Sequence, residues 1–133
     1  MSKIEMVYEG NLRIRSKLNQ AEIVTDGPKV IGGEGEYYSP TDLLALALGS
    51  CVITLVQVRA RNLKLNLGEI TGSVEKEMAK DGPRRIGKVK VVIDIPFSPT
   101  PEQEKELNEA ALTCPVHHSL HPDLIQEIEL KFQ

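Results

Sequence analysis

Apolar and polar residues alternate along several stretches of the chain. Residues 12–18 (LRIRSKL) place apolar against charged positions, as a half-exposed strand does, and residues 21–25 (AEIVT) continue in the same style. Residues 3–9 alternate more weakly and meet the turn signal Gly10-Asn11, while Asp26-Gly27-Pro28 ends the third run. This predicts an N-terminal antiparallel unit of two or three strands. Further on, residues 69–78 and 84–95 flank Lys80-Asp81-Gly82-Pro83 and read as a strand, a turn and a second strand. The second strand puts Val89, Val91, Ile93 and Ile95 on one face. Residues 124–132 (LIQEIELKF) alternate again and close the chain as a strand.

The pattern changes after Ser39. Ser39 can cap a helix, Pro40 suits the first helical position, and Asp42 can reach back as the acid of a capping box. The helix from 40 to about 62 is apolar nearly all round up to Val58, so it must be buried from several sides, within a sheet or a subunit interface. Thr100, Pro101 and Gln103 give a second capping box for a helix whose apolar face carries Leu107, Ala110 and Ala111. A short helix restarts near Thr113 and stops before Pro122. Residues 29–38, rich in glycine but followed by no Lys-Ser/Thr pair, read as a mobile connecting loop rather than a phosphate cradle. The order is α+β: a strongly bent antiparallel sheet packed on one long apolar helix, within a single domain spanning residues 1–133.

Composition narrows the function classes. With 41% hydrophobic and 26% charged residues the chain is an ordinary globular one, and with 4% aromatics and no Trp its core must come from Leu, Ile, Val and Ala. The formal charge of −3 and the scattered Lys and Arg argue against nucleic acid as a partner; the only basic cluster, Arg84, Arg85, Lys88 and Lys90, fits the wet face of a strand. The start of the chain lacks a signal-peptide pattern, and the apolar stretch within 43–58 is broken by Gly49, Ser50, Thr54 and Gln57. A cytoplasmic location away from the membrane is therefore expected. Cysteines there are normally reduced, which argues against a permanent structural disulfide.

Two cysteines carry the candidate chemistry. Cys51 lies within the apolar helix, where a thiol usually serves as a small hydrophobe. Cys114 lies at or beside the start of the short helix, where unpaired N–H groups favour a thiolate. They are 63 residues apart (114 − 51), so only tertiary folding can join them. Cys114, His117 and His121 share one helical face and suggest metal ligands. The fraying proline, the lack of a fourth ligand and the absence of a nearby acid favour the reading without metal. No serine-hydrolase elbow, zinc-protease motif or nucleotide loop is present.

Residues 39–51, SPTDLLALALGSC, and residues 114–120, CPVHHSL, resemble the two cysteine-bearing segments of the OsmC/Ohr family, and the Gly32-Gly33 loop and the element order agree. The resemblance implies an OsmC-like fold and an intertwined homodimer with two long central helices buried between curved sheets. It implies thiol-dependent reduction of organic hydroperoxides, with Cys51 as the attacking thiolate and Cys114 as the resolving thiol. A dithiol reductant such as a lipoyl protein would reset the pair, with no cofactor. A non-peroxidase member binding a small hydrophobic ligand at the dimer interface is the alternative. One position departs from the family: its peroxidases carry Glu where this chain has Thr41, with Asp42 one residue later. That Glu orients an Arg against the thiolate; Arg13 and Arg15 are the candidates here, and the sequence does not choose between them. The departure implies slow peroxide reduction.

Overall fold

The computed structural model describes residues 2–133 and divides into two compact units, one up to Leu44 and one from Ala45 to Gln133. In the first unit, β1 (Glu5–Gly10), β2 (Arg13–Leu18) and β3 (Ala21–Asp26) form an antiparallel meander in that order. Asn11 and Leu12 both take positive φ, at 48° and 66°, which is how a two-residue turn matches the twist of its strands. The Leu12 carbonyl accepts the Gly27 N–H at 2.9 Å. A Cβ at Gly27 would stand 2.7 Å from that of Leu12, so only glycine fits beneath the turn. Both faces of the meander remain largely uncovered: Met6, Val7, Tyr8 and Ile23 are all at least half exposed.

The glycine-rich loop is tied down rather than mobile. Asp26 donates its N–H to the Tyr38 carbonyl, and its Oδ2 accepts the Glu36 N–H, both at 2.9 Å. Gly35 N–H returns to the Gly27 carbonyl at 3.1 Å. The Asp26 side chain is wholly buried and pairs with the Arg13 guanidinium at 2.8 Å; Arg13 also reaches Glu36 at 3.3 Å and lies over the Tyr37 ring. A buried carboxylate needs such partners, and they anchor the segment that leads into the long helix.

That helix, α1 (Pro40–Asn62), starts on the expected capping box: Ser39 Oγ accepts the Asp42 N–H at 3.2 Å and Asp42 Oδ2 accepts the Ser39 N–H at 3.0 Å. Within the second unit its buried stripe is Ala45, Leu48, Gly49, Val52, Val56 and Ala60, spaced at one helical face. The remaining sides are not covered in the single chain, and Leu46 and Val58 are 42% and 44% exposed. By length and composition α1 could cross a bilayer; its buried stripe is that of a core helix.

The second unit holds β4 (Thr71–Met78), β5 (Ile86–Ile95), α2 (Pro101–Ala111), α3 (Pro115–Ser119) and β6 (Ile125–Phe132). β5 shows the predicted phase, with Val89, Val91, Ile93 and Ile95 buried. The Thr100–Gln103 capping box on α2 is formed in both directions. Arg59, near the end of α1, binds the carbonyl and carboxylate of Glu106 and so ties α1 to α2. The topology differs from one bent antiparallel sheet in two ways. There are two separate three-stranded sheets, and β5 pairs with β6 in parallel. The reason is the connection: α2 and α3 intervene between β5 and β6 and carry the chain back, a crossover that a parallel pair requires.

Candidate functional site

Cys51 sits at the twelfth residue of α1 and is partly exposed, whereas Cys114 is fully buried. The crossover delivers Cys114 to α1, where its thiol lies close to that of Cys51. Neither is in a disulfide.

Cys114 is the N-cap of α3, as its place in the sequence suggested. Its Sγ accepts the His117 N–H at 3.3 Å. Burial, and then the neighbouring Cys51 thiol, push the Cys114 thiol up; N–H donation from His117 and Val116 opposes them. In the resting site Cys114 is therefore a protonated thiol.

The three histidines do not assemble with Cys114. The His117 ring hydrogen-bonds through Nδ1 to Gln126 Oε1 at 2.5 Å, and His121 Nδ1 accepts the Asp123 N–H at 3.0 Å. It is the main chain of His117, not its imidazole, that meets the sulfur. Among the described residues no group of three or more His, Cys, Asp or Glu side chains is placed to hold a metal.

The candidate arginines pair with carboxylates of their own unit. Arg13 holds Asp26 and Glu36, while Arg15 binds Glu9 at 2.8 Å and Glu22 at 3.5 Å. At the family's Glu position, Thr41 Oγ1 lies 3.1 Å from Ser39 Oγ.

Next to Cys51 in sequence, Leu46, Gly49, Ser50, Ile53 and Thr54 of α1 face Val74 and Ile93 across an open, mainly apolar cleft of about 370 Å³. Gly49 lets the helix pack tightly on the sheet: a Cβ there would lie 2.5 Å from Val74 Cγ1. Sequence reasoning did not single out this cleft or Gln126. The signal for Gln126 was present: it occupies an inward position of β6, in phase with Ile128, Leu130 and Phe132.

Fold and site together define an α+β protein with a half-buried pair of free thiols. A family model described as OsmC-like protein matches residues 33–129. The chain belongs to the OsmC-like family. A solved structure from Psychrobacter arcticus 273-4, provisionally described as an osmotic stress induced and detoxification response protein, is 38% identical with a TM-score of 0.91, covering 98% of this chain and 96% of the other. An organic hydroperoxide resistance protein OsmC from Legionella pneumophila superposes with a TM-score of 0.78 at 16% identity, covering 98% and 96%. A protein from Vibrio cholerae, provisionally described as an organic hydroperoxide resistance protein and holding captopril in one active site, does so with a TM-score of 0.76 at 18% identity, covering 98% and 90%. At such identity these two speak for the fold alone. No curated protein matches the chain.

Proposed function

We propose that this protein reduces organic hydroperoxides through Cys51 and Cys114. The observation that carries the reading is the proximity of two free thiols from segments far apart in sequence. Cys51, the more exposed, attacks as a thiolate on the peroxide's terminal oxygen. The O–O bond breaks, the alcohol leaves with a proton, and Cys51 becomes a sulfenic acid. Cys114 then attacks the Cys51 sulfur; the S–S bond forms, the S–O bond breaks, and water departs with the Cys114 proton. A dithiol reductant, such as a lipoyl protein, returns both thiols by exchange. The apolar cleft beside Cys51 in sequence supports an organic rather than an inorganic peroxide.

The working form in this reading is a homodimer. Apolar side chains on both faces of the β1–β3 meander and on the outer sides of α1 are uncovered in one chain, and a second copy would bury them. The expected interface exceeds about 2,000 Å², the range of permanent contacts. In a reducing cytoplasm the resting state would be the dithiol.

The test is turnover of an organic hydroperoxide with a dithiol reductant, run beside Cys51→Ser and Cys114→Ser. The reading expects turnover in the parent, none in Cys51→Ser, and in Cys114→Ser one equivalent of alcohol with a trappable sulfenic acid. Undiminished turnover in Cys51→Ser would refute it. The same cleft supports a second reading, binding of a small hydrophobic ligand without turnover. In that case an inactive parent would bind apolar ligands equally well with both thiols replaced.

A further inference from the structure

Gln126 is polar at a position where the strand pattern calls for an apolar residue. β6 turns Gln126, Ile128, Leu130 and Phe132 to its covered side, and Gln126 alone there needs hydrogen-bond partners. Both ends of its amide find them on one residue. Nε2 donates to the His117 carbonyl at 3.1 Å, and Oε1 lies 2.5 Å from His117 Nδ1. A carbonyl can only accept, so the amide NH2 must face it and Oε1 must face the ring. His117 Nδ1 therefore carries the proton. His117 in turn donates its main-chain N–H to Cys114 Sγ at 3.3 Å. The chain of contacts runs from strand side chain to helix residue to sulfur.

We propose that Gln126 is a positioning residue for Cys114: its two-point grip on His117 aims the amide that stabilises the Cys114 sulfur as it ionises. The role in disulfide closure rests on the redox reading above; the control of the sulfur does not. When Cys114 attacks the Cys51 sulfenic acid it must shed its proton, the S–S bond forms and hydroxide leaves as water. Negative charge passes through Cys114 on the way, and a correctly aimed N–H lowers the cost of that charge. The groups that meet this sulfur are few. From α1 comes the Cys51 thiol, and from α3 come the main-chain N–H groups of His117 and Val116.

Gln126→Leu keeps the size and suits the apolar side of β6, so it removes the grip without opening a cavity. In a Cys51→Ser background, ultraviolet thiolate absorbance titrates Cys114 alone, with no peroxide and no reductant. The midpoint is expected to move up in Gln126→Leu, and Gln126→Glu, which keeps the acceptor for Nδ1–H, is expected to recover part of the change. With Cys51 present, disulfide closure after one equivalent of hydroperoxide should slow about fivefold, the loss of one ordinary hydrogen bond. An unchanged midpoint in a cooperatively folded Gln126→Leu overturns the proposal, even if its melting temperature falls, because that is what a purely structural clamp would give. If the Leu variant does not fold, Gln126→Glu decides by the same titration, again with an unchanged midpoint as the refuting result. A shifted midpoint in a protein with no peroxide turnover upholds the positioning role and refutes the redox reading alone.

Discussion

Gly49→Ala separates two effects that act against each other where α1 packs on β4. Inside a helix, Ala is favoured over Gly by about 1 kcal/mol. Here the added methyl would stand 2.5 Å from Val74 Cγ1 and 3.9 Å from Val91 Cγ1. The first distance is far inside van der Waals contact. Val74 is β-branched and stiff about its first side-chain bond, so relief requires the strand or the helix to shift. Overpacking of this kind costs about 1–3 kcal/mol. Taking the middle of that range, Gly49→Ala should destabilise by about 1 kcal/mol in the parent protein. In a Val74→Ala background the opposing methyl is gone, and the same substitution should stabilise by about 1 kcal/mol. The coupling between the sites is then about 2 kcal/mol, well above the error of additivity. Urea unfolding of the four proteins at one protein concentration measures it, since a dimer's stability depends on concentration. A Gly49→Ala that stabilises equally in both backgrounds would refute the steric reasoning and place the contact elsewhere.

Three further outcomes follow from the charges and thiols. The Arg13 guanidinium beside Asp26 holds its carboxyl below the ordinary value of 3.8, so its contribution is present above that value and is lost as pH falls through the lower, folded one. Acid unfolding curves should therefore flatten at their low-pH end in Asp26→Asn. Burial raises the Cys114 thiol above its ordinary value of 9.0, so that contribution is present below 9.0 and fades as pH climbs through the raised one. Under reducing conditions the urea midpoint should fall in alkali, and less so in Cys114→Ala. Thr41→Glu alone should leave peroxide turnover unchanged, because Arg13 is held by Asp26 at 2.8 Å and by Glu36 at 3.3 Å; a marked acceleration would show that the guanidinium exchanges partners freely.

Sequence reading succeeded where the physics is local. The Ser39–Asp42 and Thr100–Gln103 boxes, the inward phase of β5 and the N-cap place of Cys114 each depend on residues within a turn or a strand of one another. It fell short where distant segments decide. Asp26 looked like part of a turn, yet it is a buried carboxylate because Arg13, across the strand pair, and the Glu36 amide converge on it. The parallel register of β5 and β6 is imposed by the crossover, which alternation alone does not encode. The meeting of Cys51 and Cys114 was available only through family resemblance, since nothing in their spacing brings them together. Gln126 broke an otherwise apolar phase, and only the structure shows that His117 is the cause.

The crossover also sets an order of events during synthesis. Cys51 leaves the ribosome 63 residues ahead of Cys114, and the β6 strand that completes the parallel pair follows later still. At about 5–20 residues per second, Cys51 waits roughly 3–13 seconds before its partner thiol exists outside the peptidyl-transferase centre. Through that interval the nascent chain carries an isolated sulfur on an apolar helix, open to mixed disulfides with small thiols and to oxidation that nothing in the same chain can resolve. The proximity of the two thiols thus arrives last, as a property of the finished crossover, and a polypeptide stalled before it would bear a lone cysteine exposed to damage rather than a pair.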